Sequence, residues 1–377
     1  MKKIKIIVLS SLLLSIFQLL LNNILTQDVQ AKTLSVNGVY WLRGIQPASN
    51  EVLHNPYVDG IALRSKWNQV EPREGIYNWA DLDKEVFDAV ANGKKVSLQV
   101  TPGIWTPDWV YTAGAKAFWF KWDKKYWGQP VGTDIRIPIP WDNVYLDKWL
   151  QFIRALGEHY ASNPNIVLIK MTGVNCSTEE TYLPSSINEA LTDIKGNFVC
   201  MSNNDVANWQ KAGYTRLKVE KAWRAITDTF AQAFTNQSLA IQIVESFPPI
   251  DDNGILIPHR KKDWQITNDF IHQGLQTYGN RFIVMNDSLS AFWIKKSVVA
   301  LAKQGVTTAY QMAWFVTGDR TYRMNHGKSD NPHIILQKAI DKGITAGAEY
   351  LEIYPVDITN PEFKDIIMYV HEKLSLQ

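Results

Sequence analysis

The stretch Trp67-Asn-Gln-Val-Glu-Pro-Arg-Glu-Gly-Ile-Tyr-Asn-Trp-Ala-Asp-Leu-Asp83 decides the fold of this chain. The preceding residues 59–65, Asp-Gly-Ile-Ala-Leu-Arg-Ser, alternate apolar and polar side chains, which predicts a β-strand. Pro72 lacks an amide hydrogen and biases Glu71 towards an extended conformation, so we expect this pair to end the strand. Asp81 is expected to open a helix. The sequence therefore predicts a strand, a long loop and a helix in succession.

The same stretch carries a family resemblance. The pattern Trp-x-x-Val-Glu-Pro-x-Glu-Gly-x-Tyr-Asn-Trp-x-x-Leu-Asp resembles the second β/α unit of clan-A glycoside hydrolases, especially the family-42 β-galactosidase-like group. The resemblance implies a (β/α)8 barrel that hydrolyses O-glycosidic bonds in a β-linked glycan or oligosaccharide without a cofactor. Read without the resemblance, the stretch is an ordinary loop packed by two tryptophans.

The first 31 residues predict a signal peptide. Lys2, Lys3 and Lys5 form a basic start, an apolar run covers residues 6–21, and Ala31 ends a small-residue cleavage site. The alternative is an uncleaved anchor, for which the run is marginal against ~30 Å of hydrocarbon. We expect cleavage, a mature domain at residues 32–377, and a secreted, periplasmic or cell-surface location. No stable membrane insertion is expected after cleavage.

Composition narrows the classes of partner. The chain has 39 basic and 37 acidic residues, a net charge of +2 and no long run of one sign, which argues against a nucleic-acid or strongly anionic partner. Fifteen tryptophans are compatible with a carbohydrate partner, because sugar rings stack on aromatic faces, but they could equally fill a core.

The two cysteines, Cys176 and Cys200, predict a disulfide in an exported chain. A metal site is not expected, because two cysteines without a nearby histidine cannot complete a tetrahedral shell.

Eight apolar runs recur along the chain, most of them followed by a helical pattern. Strands alternating with helices imply a parallel sheet, and eight repeats predict a single (β/α)8 barrel domain. Long insertions follow the third strand, at residues 102–142, and the fourth, at residues 175–205, on the face where barrel active sites lie. The predicted strands are residues 36–44, 59–65, 95–101, 166–172, 239–245, 281–286, 307–314 and 349–355. The clearest predicted helices are residues 144–159, 217–234, 263–276, 292–304, 333–342 and 361–374.

Alternation along each strand predicts which side chains enter the barrel. A bulge would reverse the assignment. The predicted outward-facing residues are Ile61, Leu63, Val96, Leu98, Val100, Val167, Ile169, Met171, Ile241, Ile243, Leu351 and Ile353, with Glu245 in the same phase. The predicted inward-facing residues are Arg64, Ser97, Gln99, Thr101, Lys170, Thr172, Tyr350, Glu352 and Tyr354.

Glycoside hydrolysis uses two carboxyl groups, one that donates a proton and one that attacks or activates water. The resemblance implies that the acid follows the fourth strand, where the chain provides Glu179 and Glu180 but not the family's adjacent Asn-Glu pair. We predict Glu180 as the acid, with Glu179 as the alternative. Either glutamate could instead only stabilise a helix N-terminus.

The resemblance places the nucleophile at the end of the seventh strand, where this chain has Gln311. Glutamine cannot form a glycosyl ester. We predict Glu352 on the eighth strand as nucleophile or base, with Glu245 and Asp287 as alternatives. Glu352 could instead only balance the inward cations, and the chain could be a carbohydrate-binding barrel that has lost catalysis.

Substrate contacts are expected around the same mouth of the barrel. The insertion after the third strand is rich in tryptophan, so it could form a platform for sugar rings or pack a small core of its own. The predicted substrate-binding residues are Arg64, Trp67, Trp105, Trp109, Asn175, Gln311 and Tyr354.

Overall fold

A computed structural model describes residues 34–43, 47–125, 128–244, 246–318, 323–326 and 331–375. The predicted signal peptide and Glu245 lie outside these residues. The chain from Leu34 onward forms one compact unit. No helix in the described ranges combines the length and the apolar character needed to cross a membrane.

Eight parallel strands of the described chain close into a barrel in the order β1-β8-β7-β6-β5-β4-β3-β2. All eight predicted strands are present, and the predicted (β/α)8 fold is confirmed. The strands are β1 (Gly38–Leu42), β2 (Gly60–Lys66), β3 (Lys95–Thr101), β4 (Ile166–Met171), β5 (Ser238–Gln242), β6 (Phe282–Leu289), β7 (Thr308–Met312) and β8 (Ala348–Ile353).

Amphipathic helices cover the outside of the barrel and bury their apolar faces against it. The predicted helices are found with shifted ends. The largest shift is in the helix expected from residue 292, which begins only at Lys296, because Ser290 and Trp293 first close a turn in which the Trp293 amide donates to Ser290 Oγ at 3.1 Å. The α-helices are Asn50–Leu53, Trp67–Val70, Ala80–Ala91, Asp108–Thr112, Asn143–Tyr160, Asp205–Lys211, Arg216–Ala233, Gln265–Tyr278, Lys296–Ala302, Pro332–Thr345, Pro355–Ile358 and Lys364–Ser375. Short 3-10 turns lie at Gly103–Trp105, Gly279–Arg281 and Pro361–Phe363.

The stretch after β2 is more compact than its sequence predicted. The strand ends at Lys66, before the expected Glu71-Pro72 boundary, and a one-turn helix, Trp67–Val70, follows at once. The buried Glu71 carboxylate organises this turn, because it accepts from Trp67 Nε1 at 2.7 Å and from the Gly75 amide at 2.8 Å. Local alternation could not anticipate a turn closed by side chains.

Strand phase is confirmed for β2, β3 and β8, and it is wrong at one position of β4. Val167 was expected to face outward, but it packs with Leu168 among the residues of the barrel interior. The register between β3 and β4 shifts at this point, pairing Val96 with Ile166 and Ser97 with Leu168. The bulge leaves the outward phase of Ile169 unchanged.

The two long insertions lie at the carboxyl ends of β3 and β4, and each contains an antiparallel hairpin. The first pairs Ala117–Lys121 with Asp134–Pro138, and the second pairs Ala190–Thr192 with Phe198–Met201. The insertions approach each other at Gly103, whose φ is +59° and where a Cβ would collide with the Cys176 carbonyl oxygen. Glycine is required at this contact because any side chain would push the two loops apart.

Candidate active site

A network of buried charges fills the carboxyl half of the barrel interior. Lys170 of β4 forms an ion pair with Glu352 of β8, and both side chains have 0% of their surface exposed. The Tyr350 hydroxyl donates to the same Glu352 carboxylate, and its ring lies 4.1 Å from that of Tyr40. Glu352 therefore neutralises a buried cation, which matches the structural alternative raised for it from sequence. Its side chain has no exposed surface available to a substrate.

Arg64 of β2 links this interior network to the mouth of the barrel. Its guanidinium pairs with Glu179, donates to the Gln311 side-chain oxygen, and lies 3.6 Å from Glu352 Oε2. Burial alone would lower the pKa of Arg64, but the carboxylates of Glu179 and Glu352 outweigh burial and raise it. Gln311 thus occupies the position expected for a nucleophile and acts as a hydrogen-bond partner of an arginine.

The carboxyl groups of Glu180 and Asp287 meet in a cavity of about 770 Å³. Burial raises the pKa of Glu180 well above its ordinary value, and the charge of Asp287, in hydrogen-bonding contact, raises it further. Neighbouring carboxyl groups disfavour ionisation of both, so this arrangement favours the protonated form of Glu180. The cavity is lined by Glu180, Val244, Asp287, Ser288, Ser290, Phe292, Trp293, Ala313, Arg323 and His326.

A tight turn after β4 delivers Glu180 to this cavity. Asn175 and Thr181 bridge the base of the turn, and Thr181 also pairs with Ile243 at the end of β5. The Thr181 amide donates to the Gln242 carbonyl at 2.9 Å. The neighbouring glutamates therefore diverge, with Glu179 held by Arg64 and Glu180 directed to Asp287.

Asp287 reaches the same cavity from an irregular strand end. The pairing of β6 with β7 shifts register between Asn286 and Leu289, where Asp287 lies. The Ser288 amide donates to Asn286 Oδ1 at 3.3 Å and closes a local turn. Periodicity could not show this placement, and the only signal in the sequence was a carboxylate just after the sixth strand.

Two of the predicted substrate-binding tryptophans have structural roles instead. Trp67 is fully buried in an aromatic cluster with Trp149 at 4.9 Å, so its ring packs inside the protein. Trp109 packs edge-on against Trp67 and donates from Nε1 to the Glu71 carbonyl at 3.1 Å. The aromatic insertion packs against other parts of the chain, as the stacking of Phe118 on Trp209 of the helix Asp205–Lys211 shows.

The other predicted substrate-binding residues lie either in the turn after β4 or at the mouth of the barrel. Asn175 is buried, accepts from the Gly173 amide at 3.1 Å and donates to the Thr178 carbonyl at 2.9 Å, so it stabilises the turn. Trp105 is half-buried, with the Lys66 ammonium 3.7 Å from its ring centroid. Tyr354 lies near Arg64 and Glu179 at the mouth, and burial raises its pKa.

The predicted disulfide is not formed. Cys176 and Cys200 are both free in the structure. Cys176 is buried beside Tyr182 at the base of the turn after β4, where burial raises the pKa of its thiol. Cys200 lies in the second hairpin, opposite Leu191, so the two thiols belong to separate parts of the insertion.

Comparison with known proteins supports the barrel fold and shows one partial family match. The family model Glyco_hydro_42, described as beta-galactosidase, matches residues 51–234, just under half of the chain. The catalytic domain of the Paenibacillus polymyxa β-amylase aligns with 90% of this chain and 99% of its own, at 11% identity and a TM-score of 0.56. No curated protein matches the chain.

Two further solved structures have weaker overlap. A β-galactosidase from the psychrophilic Marinomonas ef1 aligns at 10% identity over 84% of this chain and 54% of its own, with a TM-score of 0.49. An endo-1,4-β-xylanase from Caldicellulosiruptor owensensis aligns at 11% identity over 88% and 91%, with a TM-score of 0.48.

The family match and the closed barrel make the chain similar to the clan-A (β/α)8 glycoside hydrolases. Within that clan, the family that it resembles is the family-42 β-galactosidases. The match spans Glu180 but ends at residue 234, before Asp287, Gln311 and Glu352. The family match therefore carries no information about the second carboxyl group.

Proposed function

We propose that this chain is an exported glycoside hydrolase that cleaves a β-linked glycan or oligosaccharide, with Glu180 as the general acid and Asp287 as the second carboxyl group. One observation carries the proposal: these two carboxyl groups lie in contact in an open cavity with aromatic side chains on its wall. Export rests on the basic and apolar N-terminal sequence, and the carbohydrate substrate rests on the family match and the fold.

Glu180 has the properties of a general acid. The pair shares a proton because two adjacent carboxylates cannot both be ionised without strong repulsion. Glu180, whose pKa is raised, donates its O–H proton to the glycosidic oxygen while the bond from that oxygen to the anomeric carbon breaks. The leaving sugar departs as an alcohol.

Asp287 then acts as a carboxylate at the anomeric carbon. It either attacks the anomeric carbon itself or removes a proton from the water that attacks. Glycosidase carboxyl groups are about 5–5.5 Å apart in retaining enzymes and about 6.5–9.5 Å apart in inverting ones. The substrate is expected to enter the cavity between Glu180 and Asp287 and to set the spacing of the two carboxyl groups.

Glu352, which the sequence favoured for the second role, is less suitable in this geometry. It faces Lys170 and Arg64 inside the barrel with none of its surface exposed. A nucleophilic role would require both ion pairs to break and the interior to open. Asp287 reaches the cavity without any such change.

Aryl β-glycosides with leaving groups of graded acidity test the assignment. Glu180→Gln should reduce turnover by about 10²–10⁴-fold on poor leaving groups and much less on activated ones, because only the former need protonation. Asp287→Asn should reduce turnover on all of them. Glu179→Gln is the matched control, since it removes the adjacent carboxylate while leaving the Glu180–Asp287 pair in place.

The outcomes separate the competing assignments. Full turnover by Asp287→Asn would eliminate Asp287 as the second group. Sugar binding by the wild-type chain without turnover of any glycoside would instead support a non-catalytic carbohydrate-binding barrel. A fall in turnover with Glu179→Gln that follows leaving-group acidity would transfer the acid role to Glu179.

A further inference from the structure

Two adjacent aromatic residues, Phe292 and Trp293, form one wall of the cavity that holds Glu180 and Asp287. They follow β6, the strand that carries Asp287, and they are 39% and 41% exposed. No residue of the tryptophan-rich insertion at 102–142 is among the described residues that line this cavity. The aromatic surface beside the carboxyl pair therefore comes from the loop after β6, whereas the sequence suggested the insertion after β3.

Exposure alone does not mark a binding site, since Phe87 is 71% exposed on an outer helix. Phe292 and Trp293 differ from it because their loop is fixed by a closed turn. The Trp293 amide donates to Ser290 Oγ at 3.1 Å, and the Ser290 amide donates to the Trp293 carbonyl at 3.0 Å. A ligand that binds to these rings therefore meets a loop that is already ordered, which lowers the entropic cost of binding.

A neighbouring segment, residues 323–326, supports this loop. The Met324 carbonyl accepts from the Ala291 amide at 3.1 Å. The ring of His326 stands perpendicular to that of Phe292, at an interplanar angle of 89°, so this edge contact restrains the Phe292 ring. His326 also lines the cavity, and its φ is +49°, a backbone conformation that residues other than glycine rarely adopt. Such conformations cluster at active sites and ligand clamps, where the surrounding structure holds them.

The aromatic wall extends beyond the carboxyl pair. Phe292 and Trp293 also line a second cavity, of about 500 Å³. Lys296 and Lys342, which belong to the helices that follow β6 and β7, line this second cavity as well. Phe292 and Trp293 therefore stand on the rim between the active-site cavity and the helices outside the barrel. A chain that leaves the carboxyl pair on this side passes over their rings.

A sugar ring is a ligand that suits this rim. Its C–H faces are apolar and pack on aromatic rings, while the hydroxyls around its edge bind polar groups. The active-site cavity supplies such groups in Ser288, Ser290 and Arg323. Its volume of about 770 Å³ lies in the upper part of the range of about 300–1,000 Å³ for ligand sites, which holds ligands larger than one sugar ring.

We infer that the substrate is an oligosaccharide chain, and that a sugar unit next to the cleaved bond stacks on Phe292 and Trp293 where the chain passes over the rim of the barrel. This inference rests on the proposed function for the bond that is cleaved. It adds the length of the substrate and the residues that recognise it. A single sugar would fill only the part of the cavity beside Glu180 and Asp287, so affinity should rise with the number of sugar units.

Calorimetric titration tests the inference apart from catalysis. The full chain carrying Glu180→Gln is titrated with glucose, xylose and galactose and with the β-1,4-linked oligosaccharides of each sugar. We expect the affinity for at least one series to rise from the monosaccharide to the trisaccharide. No rise in any series, or no binding at all, would overturn the inference.

Substitutions in the same background locate the added affinity. Trp293→Ala should weaken trisaccharide binding about 3–10-fold, a typical effect of losing one aromatic contact, and Trp293→Phe should keep most of the affinity because it keeps an aromatic face. Phe292→Ala should weaken it similarly. Phe87→Ala removes an exposed ring from the helix Ala80–Ala91 and should leave the affinity unchanged. Melting temperatures measured in parallel identify any loss that comes from unfolding.

Failure of this inference differs from failure of the proposed function. Unchanged trisaccharide affinity in both Trp293→Ala and Phe292→Ala would overturn the stacking role, whereas turnover of aryl glycosides by the wild-type chain would leave the hydrolase proposal intact. Binding that rises with chain length and depends on Trp293, with no hydrolysis of any glycan by the wild-type chain, would support the inference and count against the hydrolase.

Discussion

Replacement of Glu352 by glutamine distinguishes a structural from a chemical role for the buried carboxylate. Glu352→Gln keeps nearly the same shape but removes the charge that faces Lys170, and both side chains have 0% of their surface exposed. Arg64 is less affected, because it retains Glu179 and Gln311. The variant therefore isolates one buried ion pair.

Removal of one member of a buried ion pair costs about 3–5 kcal/mol, because the remaining charge has neither water nor a partner. At about 2–3 °C for each kcal/mol in a large domain, the melting temperature should fall by roughly 6–15 °C. Burial already lowers the pKa of Lys170 while Glu352 raises it, so the substitution lowers that pKa further. The unfolded state then binds more protons than the folded state. The loss of unfolding free energy relative to the wild type should therefore become smaller as pH rises.

Urea unfolding followed by tryptophan fluorescence measures the loss, and turnover per folded molecule is measured in parallel. The control is the double variant Lys170→Met/Glu352→Gln, which removes both charges and should recover much of the stability, since uncharged replacements of buried pairs are often neutral. Wild-type stability of Glu352→Gln together with abolished turnover would refute the reasoning. The carboxylate would then act in the reaction, and Asp287 would lose its proposed role.

Further expectations concern pH and thiol chemistry. Activity should fall as pH rises through the raised pKa of Glu180, because the general acid loses its proton. In Asp287→Asn, any residual activity should be lost at a lower pH, because the substitution removes the neighbouring charge that raises the pKa of Glu180. An unchanged pH of activity loss in this variant would contradict the pairing of Glu180 with Asp287. Burial raises the pKa of Asp205 to about 7, so the free energy of unfolding should decline from about pH 4 to 7 and flatten above that range. Asp205→Asn should reduce this decline. Urea titrations at several pH values that show the same decline in this variant would exclude Asp205 as its source. Thiol titration of the native chain should label Cys200 before the buried Cys176, and mass spectrometry that finds a disulfide between them would show this arrangement of the loops to be wrong.

Much of the barrel could be predicted from local sequence. Each strand is an apolar run of the right length, and alternation correctly placed Arg64 and Glu352 inside the barrel, because successive side chains of a strand must face opposite sides. The error at Val167 arose from a register shift between β3 and β4, which depends on the neighbouring strand and leaves no mark in local alternation.

The candidate site was predicted only in part. Glu180 was predicted as the acid because the resemblance places an acid after the fourth strand, whereas Asp287 was one of several alternatives and the burial of Trp67 was not anticipated. Burial of Trp67 depends on a cluster with residues more than eighty positions away in the chain, such as Trp149. Composition and spacing carry no information about which aromatic faces remain open.

The sequence by itself determined the number and order of the strands, the class of fold and the end of the barrel at which the long insertions lie, because strand periodicity and chain direction are local properties. Only the tertiary structure decided that Glu352 neutralises Lys170, that Glu180 meets Asp287, and that Gln311 accepts from Arg64. These pairings join strands across the barrel. They depend on the register of neighbouring strands and the course of long loops, and both are fixed only when the whole ring closes.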